Sequence, residues 1–190
     1  MIKRKRKKKK DRGNRGLAFE KETRVPLNQL EARLWRWFSE YVRRSGANDF
    51  GMVYCYTCNR YLYWNESQAG HFVPRGRKAV KFNEQNVKPQ CPRCNHPLWG
   101  KGESGKFAIR LDKDYGRGTA ERLQSLGSIR GAKLGRVWIV QKIGEYKEKV
   151  HELRRSMKHI DEAHKPVRRP TRMKAQSSRF ISEIDQRDVL

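Results

Sequence analysis

The four cysteines of the chain fall into two identical spacings, Cys55-Tyr-Thr-Cys58 and Cys91-Pro-Arg-Cys94, with 32 residues between the pairs. Two such knuckles supply four thiolates, the tetrahedral sulfur shell that Zn²⁺ prefers. Pairing them as disulfides would need an oxidising compartment, and no targeting signal in the sequence points to one. Zinc held by four sulfurs has no open coordination position, so its role here is structural. The insert between the knuckles holds few large aliphatic residues, which makes metal binding a source of folding energy.

The same insert carries residues suited to hydrolysis. It contains Gln68-Ala69-Gly70-His71-Phe72-Val73-Pro74-Arg75, then Asn83 and Asn86, and Cys94-Asn95-His96 follows. His71 ends an expected strand, and Asn95 directly follows the last cysteine. The second knuckle would therefore open a helix and hold Asn95 against the strand bearing His71. A base and a metal ligand fixed on facing elements are what metal-assisted phosphodiester hydrolysis requires. Each residue also has a plainer reading: His71 as packing beside the knuckle, Asn95 as a helix N-cap, Asn86 as a structural brace.

The elements that must position these groups follow from periodicity. Pro26, then Leu27, Leu30, Leu34, Phe38 and Tyr41 at steps of three and four, with Gly46 beyond, predict a helix over 26–45. Trp35 and Trp37 flank that stripe and are expected to cover its edges. Segments rich in Tyr, Phe and Val at 51–55, 60–64, 68–73 and 78–83 predict short strands. Short helices are expected at 106–113 and 118–126. A longer helix over 137–158 repeats Ile139, Ile143, Tyr146, Val150, Leu153 and Met157; this stripe suits the core or a second copy of the chain. The fold class is α+β.

Lys and Arg total 45 against 20 acidic residues, a formal net charge of +25 in 190 residues. Self-repulsion of that size calls for a polyanion, and nucleic acid is the default partner. Residues 1–24 carry net +9 and residues 165–190 net +4, which leaves +12 on the middle of the chain. Lys3 to Lys10 is an unbroken basic run that buries nothing and reads as a disordered, phosphate-seeking arm. Residues 165–190 read as a second loose basic tail, with one domain over 25–164. No apolar run approaches the ~18–20 residues of a membrane span, and no secretion signal is evident. A cytoplasmic protein is expected.

The order Cys-x-x-Cys, Ala-Gly-His-Phe, Phe-Asn-x-x-Asn, Gln-Cys-x-x-Cys-Asn resembles the phage NinG (Rap) recombination endonucleases. The wider group is the HNH, ββα-metal or His-Me finger nucleases, including endonuclease VII-like resolvases with zinc-binding cysteines. The resemblance covers roughly 50–116, ending at Tyr115-Gly116. It implies a small ββα-metal core stapled by zinc, flanked by helices, and a one-metal DNA endonuclease. His71 would be the general base, Asn86 the loop-bracing Asn, and Asn95 a ligand of a catalytic Mg²⁺ or Mn²⁺. Cleavage would leave 5′-phosphate ends, on branched intermediates such as Holliday junctions and D-loops. Arg75 is placed to grip a phosphate. Arg77, Lys78 and Arg93 complete the expected DNA-binding set. A homodimer and contacts with recombination proteins are further partner expectations.

The chain departs from many HNH enzymes at one place, with Gly70 where an Asp metal ligand often precedes the base. Gln68, His96, Glu84 or waters are then the candidates to complete the metal shell. The missing Asp favours the alternative of a non-catalytic zinc-ribbon nucleic-acid-binding protein. Charge alone does not separate DNA from RNA.

Overall fold

The computed structural model describes residues 24–96 and 103–163. The tail 165–190, all but the last residue of the 1–24 arm, Trp99 and His164 lie outside them. The protein is mixed α+β. Helix α1 (Leu27–Ser45) is followed by β1 (Met52–Tyr54), β2 (Tyr61–Tyr63), β3 (Gln68–His71), β4 (Val87–Gln90) and the one-turn helix α2 (Pro92–Asn95). Helices α3 (Ser104–Tyr115), α4 (Thr119–Ser128), α5 (Arg136–Ser156) and α6 (Lys158–Ala163) complete it.

The sheets are two separate antiparallel ribbons. In the first, Met52, Val53 and Tyr54 pair with Tyr63, Leu62 and Tyr61. In the second, Gln68, Ala69, Gly70 and His71 pair with Gln90, Pro89, Lys88 and Val87. An isolated two-stranded ribbon is marginal in water, so each must be held by something else. The first ribbon packs in a cluster with the buried cysteines, Trp64, and Met157 and Ile160 from the end of the chain's helical region. The second lies against α1. There Leu30, Leu34, Phe38 and Val42 meet Val87, Phe82, Ile139 and Tyr146. A third cluster joins Phe72, Val73 and Val80 to Phe107, Leu111 and Leu123 of α3 and α4. Gly127 permits that approach, because an added Cβ would meet Val73 Cγ1 at 2.5 Å.

Two expectations need correcting or narrowing. The segment 78–83 is no strand: Lys78–Val80 is a 3-10 turn, and the partner of β3 is Val87–Gln90. The apolar stripe of α5 is engaged within the chain, where Ile139 and Tyr146 pack against α1. The other helices fall within a few residues of their expected positions.

The α1–α5 contact is also clipped by charge. Glu40 takes hydrogen bonds from Arg44 Nε at 2.9 Å and from Arg154 Nε and Nη2 at 2.8 and 2.7 Å. Arg44 continues to Asp161 of α6 at 2.9 Å. Burial opposes ionisation of Glu40, but the bonds and charges of Arg154 and Arg44 outweigh it and hold the carboxyl below its usual range. The Arg44 side chain is only 5% exposed. Removing one partner of such a buried group strands the other charge. Glu40→Ala is expected to cost about 3 kcal/mol in urea unfolding, on the scale of a core truncation. A loss under about 1 kcal/mol would mean that these charges are solvated and idle.

Candidate functional site

The two cysteine pairs are brought together by turns. Cys55 and Cys58 sit in the connection between β1 and β2, which closes through Cys55 N–H to Arg60 O at 2.8 Å and Asn59 N–H to Cys55 O at 3.0 Å. Cys91 ends β4 and caps α2, with Pro92 at its first position, where a missing N–H costs nothing. All four sulfurs lie within 4.8 Å of one another. Cys58 Sγ and Cys91 Sγ stand 3.8 Å apart, far beyond a disulfide bond, and all four cysteines are free. Zn–S bonds of about 2.3 Å in a tetrahedron give sulfur–sulfur edges of about 3.8 Å. The cluster therefore fits a structural Zn²⁺. Burial works against a Cys55 thiolate, yet the Thr57 hydroxyl and neighbouring amides bring its pKa down to about 6. Burial pushes Cys94 up to about 12.

His71 closes β3 on the face turned towards α1. Its ring stacks on Trp35 with centroids 5.1 Å apart and planes 20° from parallel. Nε2 lies 3.0 Å from Lys81 O. A carbonyl only accepts, so Nε2 carries the proton and Nδ1 keeps the lone pair. Burial pushes the imidazole down to about 4, helped by the Arg75 and Lys81 charges and opposed by the Lys81 carbonyl. The ring is neutral at pH 7. The Arg75 guanidinium also lies over the Trp35 ring, 4.3 Å from its centre.

Asn86 pins the loop between β3 and β4. It is fully buried; its Oδ1 accepts from Val73 N–H at 2.7 Å, and its Nδ2 donates to Val73 O at 3.1 Å and Val80 O at 3.0 Å. These bonds fix the segment that supplies the Lys81 carbonyl to His71. The brace expected of Asn86 is thus present as geometry.

Asn95 is at the C-terminal end of α2, its N–H bonded to Cys91 O at 3.1 Å, so it is not an N-cap. Its Nδ2 donates to Gln68 Oε1 at 2.7 Å. That bond leaves Oδ1 facing the strand, 3.0 Å from where a Gly70 Cβ would stand. The Gln90 carboxamide fills the same space, so position 70 has no room for a side chain, least of all an Asp. Gln68 and Gly70 occupy one face of β3; Ala69 and His71 occupy the other, against α1. His71 and Asn95 consequently address opposite faces of the ribbon. Among the described residues the Asn95 face offers neutral oxygens only, and a hydrated Mg²⁺ is able to bind through a single protein oxygen.

Of the other expected residues, Arg77 and Arg93 are exposed. Lys78 is committed to Glu31, with Nζ 2.6 Å from Oε1, and Lys81 shares that carboxylate at 2.5 Å. Glu84 points away from the Asn95 face, accepting from Tyr146 OH at 2.9 Å. Sequence reasoning missed Trp35 as a partner of His71. It lies beside the apolar stripe, and nothing in helical spacing distinguishes a ring that covers a core edge from one that holds an imidazole.

A family model described as the bacteriophage lambda NinG protein matches residues 1–162. The chain belongs to the NinG family. No curated protein and no solved structure matches it. The match takes in α1, both knuckles and most of the helices beyond them, so the Trp35–His71 pairing and the cysteine cluster both fall within the NinG-matching region. No described helix of this NinG-family chain is long and apolar enough to cross a membrane.

The state of His71 is directly measurable. Its folded pKa lies below the ordinary 6.5, so the unfolded chain binds this proton first as pH falls. The neutral ring's contribution to stability is present above pH 6.5 and is lost as pH falls from there towards 4. In ¹H–¹⁵N spectra of the side chain, His71 should stay neutral and Nε2-protonated from pH 8 to 5. A midpoint near 6.5 would show that the ring is solvated and the stack open.

Proposed function

We propose that this NinG-family protein is a divalent-metal-dependent DNA endonuclease of the HNH type, with His71 as the general base. The observation that carries the proposal is the state of His71: a neutral imidazole, Nε2 bound to a carbonyl and Nδ1 left as the basic atom, on a loop pinned by Asn86. Pre-organised neutral bases of this kind suit proton abstraction from water. An imidazole with so low a pKa is a weak base alone, but an approaching phosphate anion favours its protonated form and strengthens it.

His71 and Asn95 stand on opposite faces of the ribbon and not on facing elements as expected from the sequence, so this reading needs a phosphate that both reach around the free edge of β3. In phosphoryl transfer the attacking and leaving oxygens lie roughly in line through phosphorus. A base on one side and a leaving-group stabiliser on the other therefore belong on opposite sides of the phosphate. Among the described residues β3 pairs only with β4, and in this reading a strand of DNA would lie along its other edge. There His71 would take the proton of the attacking water through Nδ1, and Arg75 would grip a non-bridging oxygen. Asn95 would hold the cation, which supplies positive charge to the departing 3′-oxygen. Branched DNA as substrate follows from the family resemblance, as does a part in phage recombination.

One observation favours a second reading, a zinc-stapled nucleic-acid binder without catalysis: Gln90 occupies the place an Asp at position 70 would need. The readings separate in a cleavage assay. The purified chain with Mn²⁺ is expected to nick supercoiled plasmid and to stop when the ion is chelated. His71→Ala should lower nicking at least about 100-fold while leaving DNA affinity within about twofold. Nicking by that variant at the wild-type rate would remove His71 from the mechanism, and a wild type that never nicks duplex, junction or displacement-loop DNA would leave the binder.

A further inference from the structure

A groove runs along the outer edge of β4, between the first knuckle and α1. Its volume is about 450 Å³, inside the range of roughly 300–1,000 Å³ common to small-ligand sites. Four tyrosines line it: Tyr41 of α1, Tyr54 of β1, Tyr56 of the first knuckle and Tyr115 at the end of α3. Tyr54 is 58% exposed and Tyr115 43% exposed, so these rings do not owe their place to core packing. Tyr54 is backed across the ribbon by Tyr61, with centroids 4.7 Å apart, which stiffens it as a platform.

Two cations stand among these rings. Lys88 Nζ is 4.6 Å from the Tyr115 ring centre and also donates to its hydroxyl. Arg110 Cζ is 4.7 Å from the Tyr56 ring centre, and its guanidinium also donates to Asn59 Oδ1 at 2.5 Å and faces Asp114 at 3.6 Å. Glu84 is the carboxylate on the wall, and its oxygens already accept from Tyr41, Tyr146 and Lys149. The groove thus presents aromatic faces beside positive charge, in a chain of net charge +25. Aromatic faces beside cations are the chemistry that binds unpaired bases with their phosphates. Paired bases in a duplex show only their edges, so a groove of this kind distinguishes single strands from double. Lys88 pairs with Gly70 across the ribbon, so its side chain rises from the Asn95 face.

We propose that this groove is a subsite for an unpaired nucleotide, its base stacked on Tyr54 or Tyr115 and its phosphate held by Lys88 and Arg110. The proposal deepens the nuclease reading and rests on it for nucleic acid as the ligand.

The test uses the full zinc-bound chain and a fluorescein-labelled ten-nucleotide single strand carrying 5-iodouracil, in deoxy and ribo forms, beside a duplex of the same sequence. Ultraviolet cross-links from the single strand to the wild-type chain should map to Tyr54 or Tyr115. In anisotropy titrations the double variant Tyr54→Ala, Tyr115→Ala should lose about fivefold or more in single-strand affinity and keep its duplex affinity. The corresponding Phe variant, which keeps the ring faces, should bind within about twofold of wild type. Tighter binding of the deoxy or the ribo strand names the preferred polymer, and either supports the subsite. Cross-links confined to other segments, or equal losses on single strand and duplex, would overturn it. The wild-type cross-link stands even where the Ala variant folds poorly. A chain that cross-links at the tyrosines yet never nicks would sink the nuclease reading alone; one that nicks through His71 but cross-links elsewhere would sink only the subsite.

Discussion

Four sulfurs gathered within 4.8 Å hold the centre of this protein together. They join the turn of the first ribbon to the junction between β4 and α2, two places separated by the whole insert. Neither ribbon has more than four residues to a strand. Their hydrogen bonds alone would not keep them ordered. With the cysteines joined through a cation, β4 is anchored at one end, and β3 is aligned through its pairing with β4. The positions of Asn95 and of His71 descend from that one constraint. Around it the helices supply what the ribbons lack: α1 and α5 cover the second ribbon, while the end of α5 and α6 cover the first.

Charge organises the rest. In a chain this basic, acids are engaged one by one: half-buried Glu31 with Lys78 and Lys81, buried Glu40 with Arg44 and Arg154, and exposed Glu84 with tyrosines and Lys149. They neutralise cations at packed positions, while Arg77 and Arg93 face outward. His71 is kept neutral by the same surroundings, since burial and two neighbouring cations disfavour an imidazolium.

Much of this was legible in the residues. The cysteine spacing announced the metal cluster, and the 3.6-residue stripes located α1 and α5. Asn86 and Asn95 were picked out by their distance from the knuckle. The strand expected at 78–83 failed for a physical reason. Val80 and Phe82 alternate as a half-buried strand would, yet they are anchors of a loop whose backbone Asn86 satisfies with its side chain. The true partner of β3 contains Pro89, which ordinarily demotes a strand; here its carbonyl accepts from Tyr56 N–H at 2.8 Å at the ribbon's outer edge. The opposite facing of His71 and Asn95 follows from strand alternation once β3 is known to end at His71, but spacing alone does not say against which element each face packs. The roles of Trp35 and Gln90 arise wholly from tertiary approach and leave no mark on local pattern.

The most direct measurement is a cobalt titration of the metal-free chain, followed together by visible absorption and circular dichroism. One equivalent of Co²⁺ should produce the intense bands of tetrahedral cobalt bound by four thiolates, with recovery of ordered structure in step with those bands. A metal-free chain that is already fully folded, and whose four cysteines react as independent thiols with no cobalt–thiolate absorption, would contradict the account at its root.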